Sequence, residues 1–205
     1  MWVSKITLPR PPEDDVWQHV FSAIAALGNG KKAYIKLALE PVGAEWLGYR
    51  GGVSDTEPEP SMAEQEKYDS LMGEVKNKIT ILYFHGGSNY LIDPVSTRPV
   101  VAKYATVAQG RVLSVRYRLA PQGPFSTALV DALVAYLSLL YPHRLKHFVN
   151  LSARLQLSCA EILTAATLLH RCYSYCFIYI APHPQKKRQR YDFMEQSMQW
   201  TTAYS

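Results

Sequence analysis

The residues whose types and spacing could do chemistry are His85, Gly86, Gly87 and Ser88, which directly follow an apolar stretch. Adjacent glycines let the backbone approach a reacting centre closely, because they carry no side chain. Their N–H groups can then point at an oxygen that becomes negatively charged during acyl transfer. An ordinary turn would use the same residues, so the loop alone leaves both interpretations open.

The elements on either side of this loop predict how the fold positions it. Residues 78–84 form a β-branched and aromatic run that is typical of a buried parallel strand. A helical period follows over residues 93–110, then a second strand over 111–117 and a second helical period over 125–141. This order with short connections predicts right-handed crossovers and the α/β class, with a mostly parallel sheet.

Two further helices are predicted upstream of the loop. Residues 13–15 are acidic and begin an apolar repeat that continues to Leu27, which suits a helix that starts at its acidic end. Residues 64–75 show a similar acidic pattern. Between these two helices, residues 51–60 read GGVSDTEPEP and have the composition of a loop.

A second motif lies downstream of the glycines, where residues 117–121 read YRLAP and residues 128–132 read ALVDA. In this order and at this separation, the segments resemble the hormone-sensitive-lipase-like branch of the α/β-hydrolase fold-3 family, over roughly residues 40–142. The resemblance implies hydrolysis of a small-molecule carboxylic ester through an acyl-enzyme. It implies no metal and no cofactor.

The resemblance also implies roles for the loop. Gly86 and Gly87 would donate backbone N–H bonds to the oxyanion of the tetrahedral intermediate, and the residue after the nucleophile would supply a third donor. His85 would support the loop rather than transfer protons. Ser88, which stands where many relatives have glycine, would stiffen it.

Four other positions take roles from the same resemblance. Asn89 and Tyr90 would follow the loop toward an acyl pocket. Arg118 and Asp131 would be structural and would tie the sheet to its helix, and a solvated charge is the alternative for each of them.

The catalytic triad itself has no candidates. A hydrolase of this type needs a serine on a Gly-x-Ser-x-Gly elbow, followed in the chain by an acid and a histidine. Residues 143–205 contain no glycine, so no triad member is assignable and the chain is predicted to be inactive. Ser88 beside His85 is the only serine that would allow an intact small esterase.

The composition changes near Pro142. Residues 1–142 carry 14 Lys+Arg and 14 Asp+Glu, whereas residues 143–205 carry 8 and 3, which accounts for the whole net charge of +5. The second part also holds all three cysteines and four of the six histidines. Its helical pattern at 161–169 runs directly into a strand-like run at 172–180, and such conflict argues against a well-specified fold. We therefore divide the chain into a partial α/β-hydrolase domain, 1–142, and an out-of-frame or divergent tail, 143–205.

The codons of residues 160–169 are compatible with the missing elbow in another reading frame. Read from the third base of each codon, this stretch is compatible with Gly-Asp-Ser-Asn-Gly-Gly-Asn-Leu-Ala, although degeneracy also permits Arg, Asn or Pro at some positions. That is the elbow sequence of the family, at its expected place. The hypothesis is a frameshift or mis-splicing between about residues 142 and 155. It predicts an unpaired sheet edge where the elbow strand should lie, and poor solubility.

A different class of function stays open for the tail. Residues 186–190 read KKRQR and could make the chain a non-catalytic binding module that uses this basic segment or the oxyanion loop. His170, Cys172 and Cys176 are too few ligands for a zinc site.

Composition also sets expectations about location and partners. The sequence shows no uninterrupted apolar stretch of about 18 residues and no secretory leader, so we expect no membrane span and a cytoplasmic location. No nucleic-acid partner is expected. Three cysteines in 205 residues also argue against a fold held by disulfides.

Overall fold

The computed structural model describes residues 1–10, 13–27, 36–54, 57–88, 90–124, 126–140 and 176–180. These residues form five strands and four helices. In chain order they are β1 (Trp2–Leu8), α1 (Glu13–Leu27), β2 (Val42–Gly48), α2 (Glu64–Glu74), β3 (Thr80–Phe84), α3 (Pro94–Ala108), β4 (Arg111–Arg116), α4 (Thr127–Leu140) and β5 (Cys176–Ile180).

The strands form one sheet in the order β1-β2-β4-β3-β5. The predicted crossover is confirmed, because β3 and β4 pair in parallel and α3 connects them. The described sheet is nevertheless mixed rather than mostly parallel, since β1/β2, β2/β4 and β3/β5 are antiparallel. No strand was predicted at β1 or β2, and these two strands enter the sheet in antiparallel order before the crossover begins.

The four helices lie where the sequence predicts them. The ends of α3 show why: the Asp93 side chain accepts a hydrogen bond from the Val95 N–H at 2.9 Å, and Pro94 occupies the first turn. At the other end Gln109 adopts a left-handed conformation with φ 49°, and the Gly110 N–H donates to the Ala105 carbonyl. The loop after β3 therefore ends at a helix whose first turn is capped by Asp93.

The sheet has an apolar cluster on each face. One cluster packs α1 and α4 onto the sheet through Trp17, Leu113 and Leu133, and it includes Tyr117. The other packs α3 onto the opposite face through Val101 and Ala105. The loop between β3 and α3 thus leaves a strand that is covered on both faces.

The free edge of β3 expected from the missing elbow strand is not found. Instead β5 pairs with β3 in antiparallel register, with Thr80 opposite Ile180 and Phe84 opposite Cys176. The strand-like run predicted at 172–180 accounts for this, because apolar β-branched and aromatic residues favour such pairing. The carboxyl end of β5 consequently lies beside the start of β3, at the end of the strand opposite His85.

Candidate active site

The loop after β3 makes a tight turn at Gly87. This residue has a φ of +104°, and the Leu91 N–H donates to its carbonyl at 2.9 Å. A Cβ placed on Gly87 would lie 2.3 Å from the Leu91 carbonyl oxygen, a backbone atom that cannot move aside alone. Glycine is therefore required at this position by both conformation and space.

Replacing Gly87 with alanine should destabilise the protein by about 1–3 kcal/mol, because the variant must hold a strained φ and displace the turn. Gly73→Ala in α2 is the matched control, since nothing lies within 4 Å of its Cβ position and alanine favours helix. Urea unfolding of both variants measures this contrast. Equal stability of the two variants would contradict the turn geometry.

His85 lies beneath the turn with 1% of its surface exposed. Its Nδ1 is 2.9 Å from the Gly86 carbonyl oxygen, which can only accept, so Nδ1 carries the ring proton. The Tyr117 hydroxyl donates to the His85 carbonyl at 2.6 Å, and the two rings stack with centroids 4.5 Å apart. The side chain is thus enclosed and engaged with the loop backbone, as a supporting residue would be.

The surroundings of His85 and Tyr117 change their acidity. Burial lowers the pKa of the His85 imidazole below its ordinary value of 6.5; the hydrogen bond to Gly86 opposes this shift, and the charge of Arg116 adds to it. Burial also raises the pKa of the Tyr117 hydroxyl to about 12. Both groups are therefore neutral at pH 7.

The lowered pKa of His85 predicts a loss of stability in acid. Below pH 6.5 the imidazole of His85 binds a proton more readily in the unfolded chain than in the folded protein. Its contribution to the free energy of unfolding is therefore fully present above pH 6.5 and is lost as the pH falls below that value. The free energy of unfolding of wild type minus that of His85→Gln should therefore decrease between pH 7.5 and pH 5.5. Urea titrations at the two pH values measure this difference, and a constant difference would refute the assignment.

The two candidate donors, Gly86 and Gly87, are both half-buried. Within the described residues, neither of their N–H groups donates a hydrogen bond. Ser88 is exposed with a φ of 55°, and among these residues it makes no hydrogen bond to His85. In the described part of the chain, His85 is thus not placed to act as the base for a Ser88 nucleophile.

Of the two residues expected to lead toward an acyl pocket, the structure describes only Tyr90. Asn89 lies outside the described residues, whereas Tyr90 is exposed, and so are Leu91, Ile92 and Val95. These four apolar side chains form an exposed surface directly after Gly87, which we call the apolar rim.

Arg118 and Asp131 form the expected structural link. Asp131 is buried at the start of α4, and its carboxylate accepts hydrogen bonds from the Arg118 backbone N–H and from Nε and Nη2 of the guanidinium. Arg118 also donates to the Ala38 carbonyl at 3.0 Å. The segment after β4 is thereby tied to α4.

A second ionic link, which no sequence pattern predicts, lies close to the loop. Glu45 of β2 has 2% of its surface exposed and accepts two hydrogen bonds of 2.8 Å from Arg98 of α3. Arg116 lies 3.5 Å from Glu45 and also pairs with Asp93, the cap of α3. This link fixes the end of the loop that begins at His85.

Other sequence-predicted features of the tail, namely His170, Cys172 and residues 186–190, lie outside the described residues. In the part of the chain that is described, no helix is long and apolar enough to cross a membrane. The same residues contain no group of three or more His, Cys, Asp or Glu side chains that could hold a metal ion.

Comparison with known proteins finds similarity over the part of the chain that contains this site. Residues 81–156 match the profile of a family described as alpha/beta hydrolase fold, and the match extends past Pro142. An acetyl-hydrolase from Streptomyces hygroscopicus is 43% identical over 61 residues, which are 30% of this chain and 20% of that protein.

Two solved structures are also similar, each covering 63% of this chain. One is an esterase from the bacterial hormone-sensitive lipase family, 23% identical, with 36% of that chain covered and a TM-score of 0.38. The other is a homologue of hormone-sensitive lipase from a metagenome library, 21% identical, with 41% covered and a TM-score of 0.34.

The chain spans about a fifth of the length of the curated relative and less than half of each solved one. The matched segment includes the strand, the His-Gly-Gly loop and the crossover described above. Residues 81–156 therefore match the α/β-hydrolase fold.

Proposed function

We propose that residues 1–142 are the early part of a carboxylic ester hydrolase, in which Gly86 and Gly87 bind the oxyanion of the tetrahedral intermediate. The observation that carries this proposal is the pair of adjacent backbone N–H groups without acceptors among the described residues, at the exit of a buried strand. Such donors stabilise charge that develops in the transition state, and removal of one lowers the rate on the order of 10²–10³-fold.

The apolar rim supports an ester with an apolar acyl group as substrate. Tyr90, Leu91, Ile92 and Val95 present exposed apolar surface immediately after the donors. An acyl chain that covers this surface would gain roughly 25 cal/mol for each Å² removed from water. A charged acyl group would lose that gain and its own hydration.

The nucleophile is proposed to come from the other reading frame of codons 160–169. The elbow serine would take its place after a strand that is parallel to β3, so that it emerges on the same side as Gly86. In the chain as printed, β5 holds the edge of β3 in the opposite direction. The 205-residue chain is therefore proposed to be inactive, with 1–142 native and the reading frame changed between about residues 142 and 155.

Purified chain incubated with p-nitrophenyl acetate tests this inactivity. We expect release of p-nitrophenol at the rate of the buffer and no covalent labelling by a serine-directed fluorophosphonate. Turnover that the phosphonate abolishes would refute the proposal. Mapping of that label to Ser88 would identify an intact small esterase instead.

A further inference from the structure

The two candidate oxyanion donors belong to peptide units whose carbonyls are held by side chains. The Gly86 N–H shares its peptide plane with the His85 carbonyl, which accepts from the Tyr117 hydroxyl at 2.6 Å. The Gly87 N–H shares its plane with the Gly86 carbonyl, which accepts from His85 Nδ1 at 2.9 Å. Each donor is thus opposite a carbonyl with a defined partner.

Because peptide units are planar, these two hydrogen bonds also orient the N–H groups of Gly86 and Gly87. Both peptide bonds are trans, and in a trans unit the N–H points away from the C=O. The Tyr117 hydroxyl and the His85 ring approach from the buried side, since the two residues are 7% and 1% exposed. The N–H groups of Gly86 and Gly87 are consequently turned away from the core.

We infer that Tyr117 is a positioning residue, whose hydroxyl fixes the Gly86 N–H and whose ring holds His85 in place to fix the Gly87 N–H. The inference rests on the proposed function of the loop. Glycine has a wide choice of backbone conformations, so Gly86 and Gly87 need such external restraint to keep their donors aligned. Hydrogen bonds between buried groups supply it, because a carbonyl left unpaired there is unfavourable.

The two hydrogen bonds predict distinct effects for two variants. Tyr117→Phe keeps the stacked ring and removes only the hydroxyl, so it should release the peptide plane that carries the Gly86 N–H. His85→Gln removes the ring and should release mainly the plane that carries the Gly87 N–H. Tyr104→Phe removes a tyrosine hydroxyl from α3, on the other face of the sheet, and is the matched control.

Amide NMR spectra of the ¹⁵N-labelled full chain test this assignment. In Tyr117→Phe we expect the Gly86 amide to shift and its heteronuclear NOE to fall, and in His85→Gln the same for Gly87. Tyr104→Phe should leave both amides unchanged. An unchanged Gly86 amide in folded Tyr117→Phe would overturn the inference.

A measurement on the unaltered chain applies if Tyr117→Phe does not fold. The hydroxyl proton of Tyr117, protected by burial, should show a through-hydrogen-bond correlation to the carbonyl carbon of His85. Failure to observe it while the neighbouring backbone amides are assigned and ordered would also overturn the inference.

Kinetics separate this inference from the proposed function. In protein expressed from the frame-restored coding sequence, Tyr117→Phe should lower kcat about 10-fold or more and leave KM unchanged, because oxyanion donors act in the transition state. Equal kcat in the two forms would overturn the positioning role. Absence of activity in both, together with the shifted Gly86 amide, would refute the esterase function and leave the positioning of the amides intact.

Discussion

Insertion of one base into the coding sequence between codons 142 and 155 should convert an inactive protein into an esterase. Under the proposed frameshift, the insertion makes codons 160–169 read as an elbow serine between glycines, and the acid and histidine of the triad would follow in the same frame. Triad residues act as a unit, so we expect the rate toward p-nitrophenyl acetate to rise by roughly 10⁴-fold or more. Initial rates of both purified proteins measure the change.

Two controls make this result specific. An insertion of two bases at the same site gives the third frame, in which no elbow is expected, and should produce no activity. Sequencing of the transcript and gene from codon 139 to codon 176 identifies the natural reading. A continuous natural frame together with an inactive one-base insertion would eliminate the frameshift hypothesis.

Replacement of Arg98 with leucine should strongly destabilise the protein, although the side chain is partly exposed. Arg98 makes two hydrogen bonds to the buried Glu45 carboxylate, and its loss leaves that charge with Arg116 alone at 3.5 Å. Removing one partner of a buried ion pair costs about 3–5 kcal/mol, and we expect the lower end because Arg116 remains. The free energy of unfolding in urea measures the loss.

The same helix provides the comparison for this experiment. Lys103→Leu changes an exposed cation on α3 and should alter stability by less than about 0.5 kcal/mol. The double variant Glu45→Leu with Arg98→Leu should recover much of the stability, because apolar residues can replace a buried ion pair. A double variant as unstable as Arg98→Leu would show that the arginine stabilises by packing rather than through Glu45.

Helices and the crossover strands could be predicted from the sequence, but the first two strands could not. The helices are predicted from the helical spacing of their apolar residues and from capping residues such as Asp93. By contrast β2 reads VGAEWLG, in which two glycines and a glutamate hide the strand pattern. Glu45 faces the interior only because Arg98 reaches it from α3, a contact 53 residues away in sequence that no local pattern contains.

The candidate site divides in the same way. The His-Gly-Gly loop was identifiable because two adjacent glycines after an apolar strand let the backbone approach a ligand closely. The sequence identifies Tyr117 only as part of a motif, since its hydrogen bond to the His85 carbonyl depends on how β4 ends beside β3. The pairing of β5 with β3 also required the structure, because a strand pattern predicts neither partner nor direction.

The direction of β5 has a consequence for laboratory evolution. Amino-acid substitutions change side chains but do not reverse the direction of a strand. The carboxyl end of β5 lies beside Thr80, which is at the end of β3 remote from Gly86. A library of point variants in β5 would thus explore the wrong end of the sheet, however large it was. Recovery of catalysis by selection should instead yield clones with inserted or deleted bases upstream of β5.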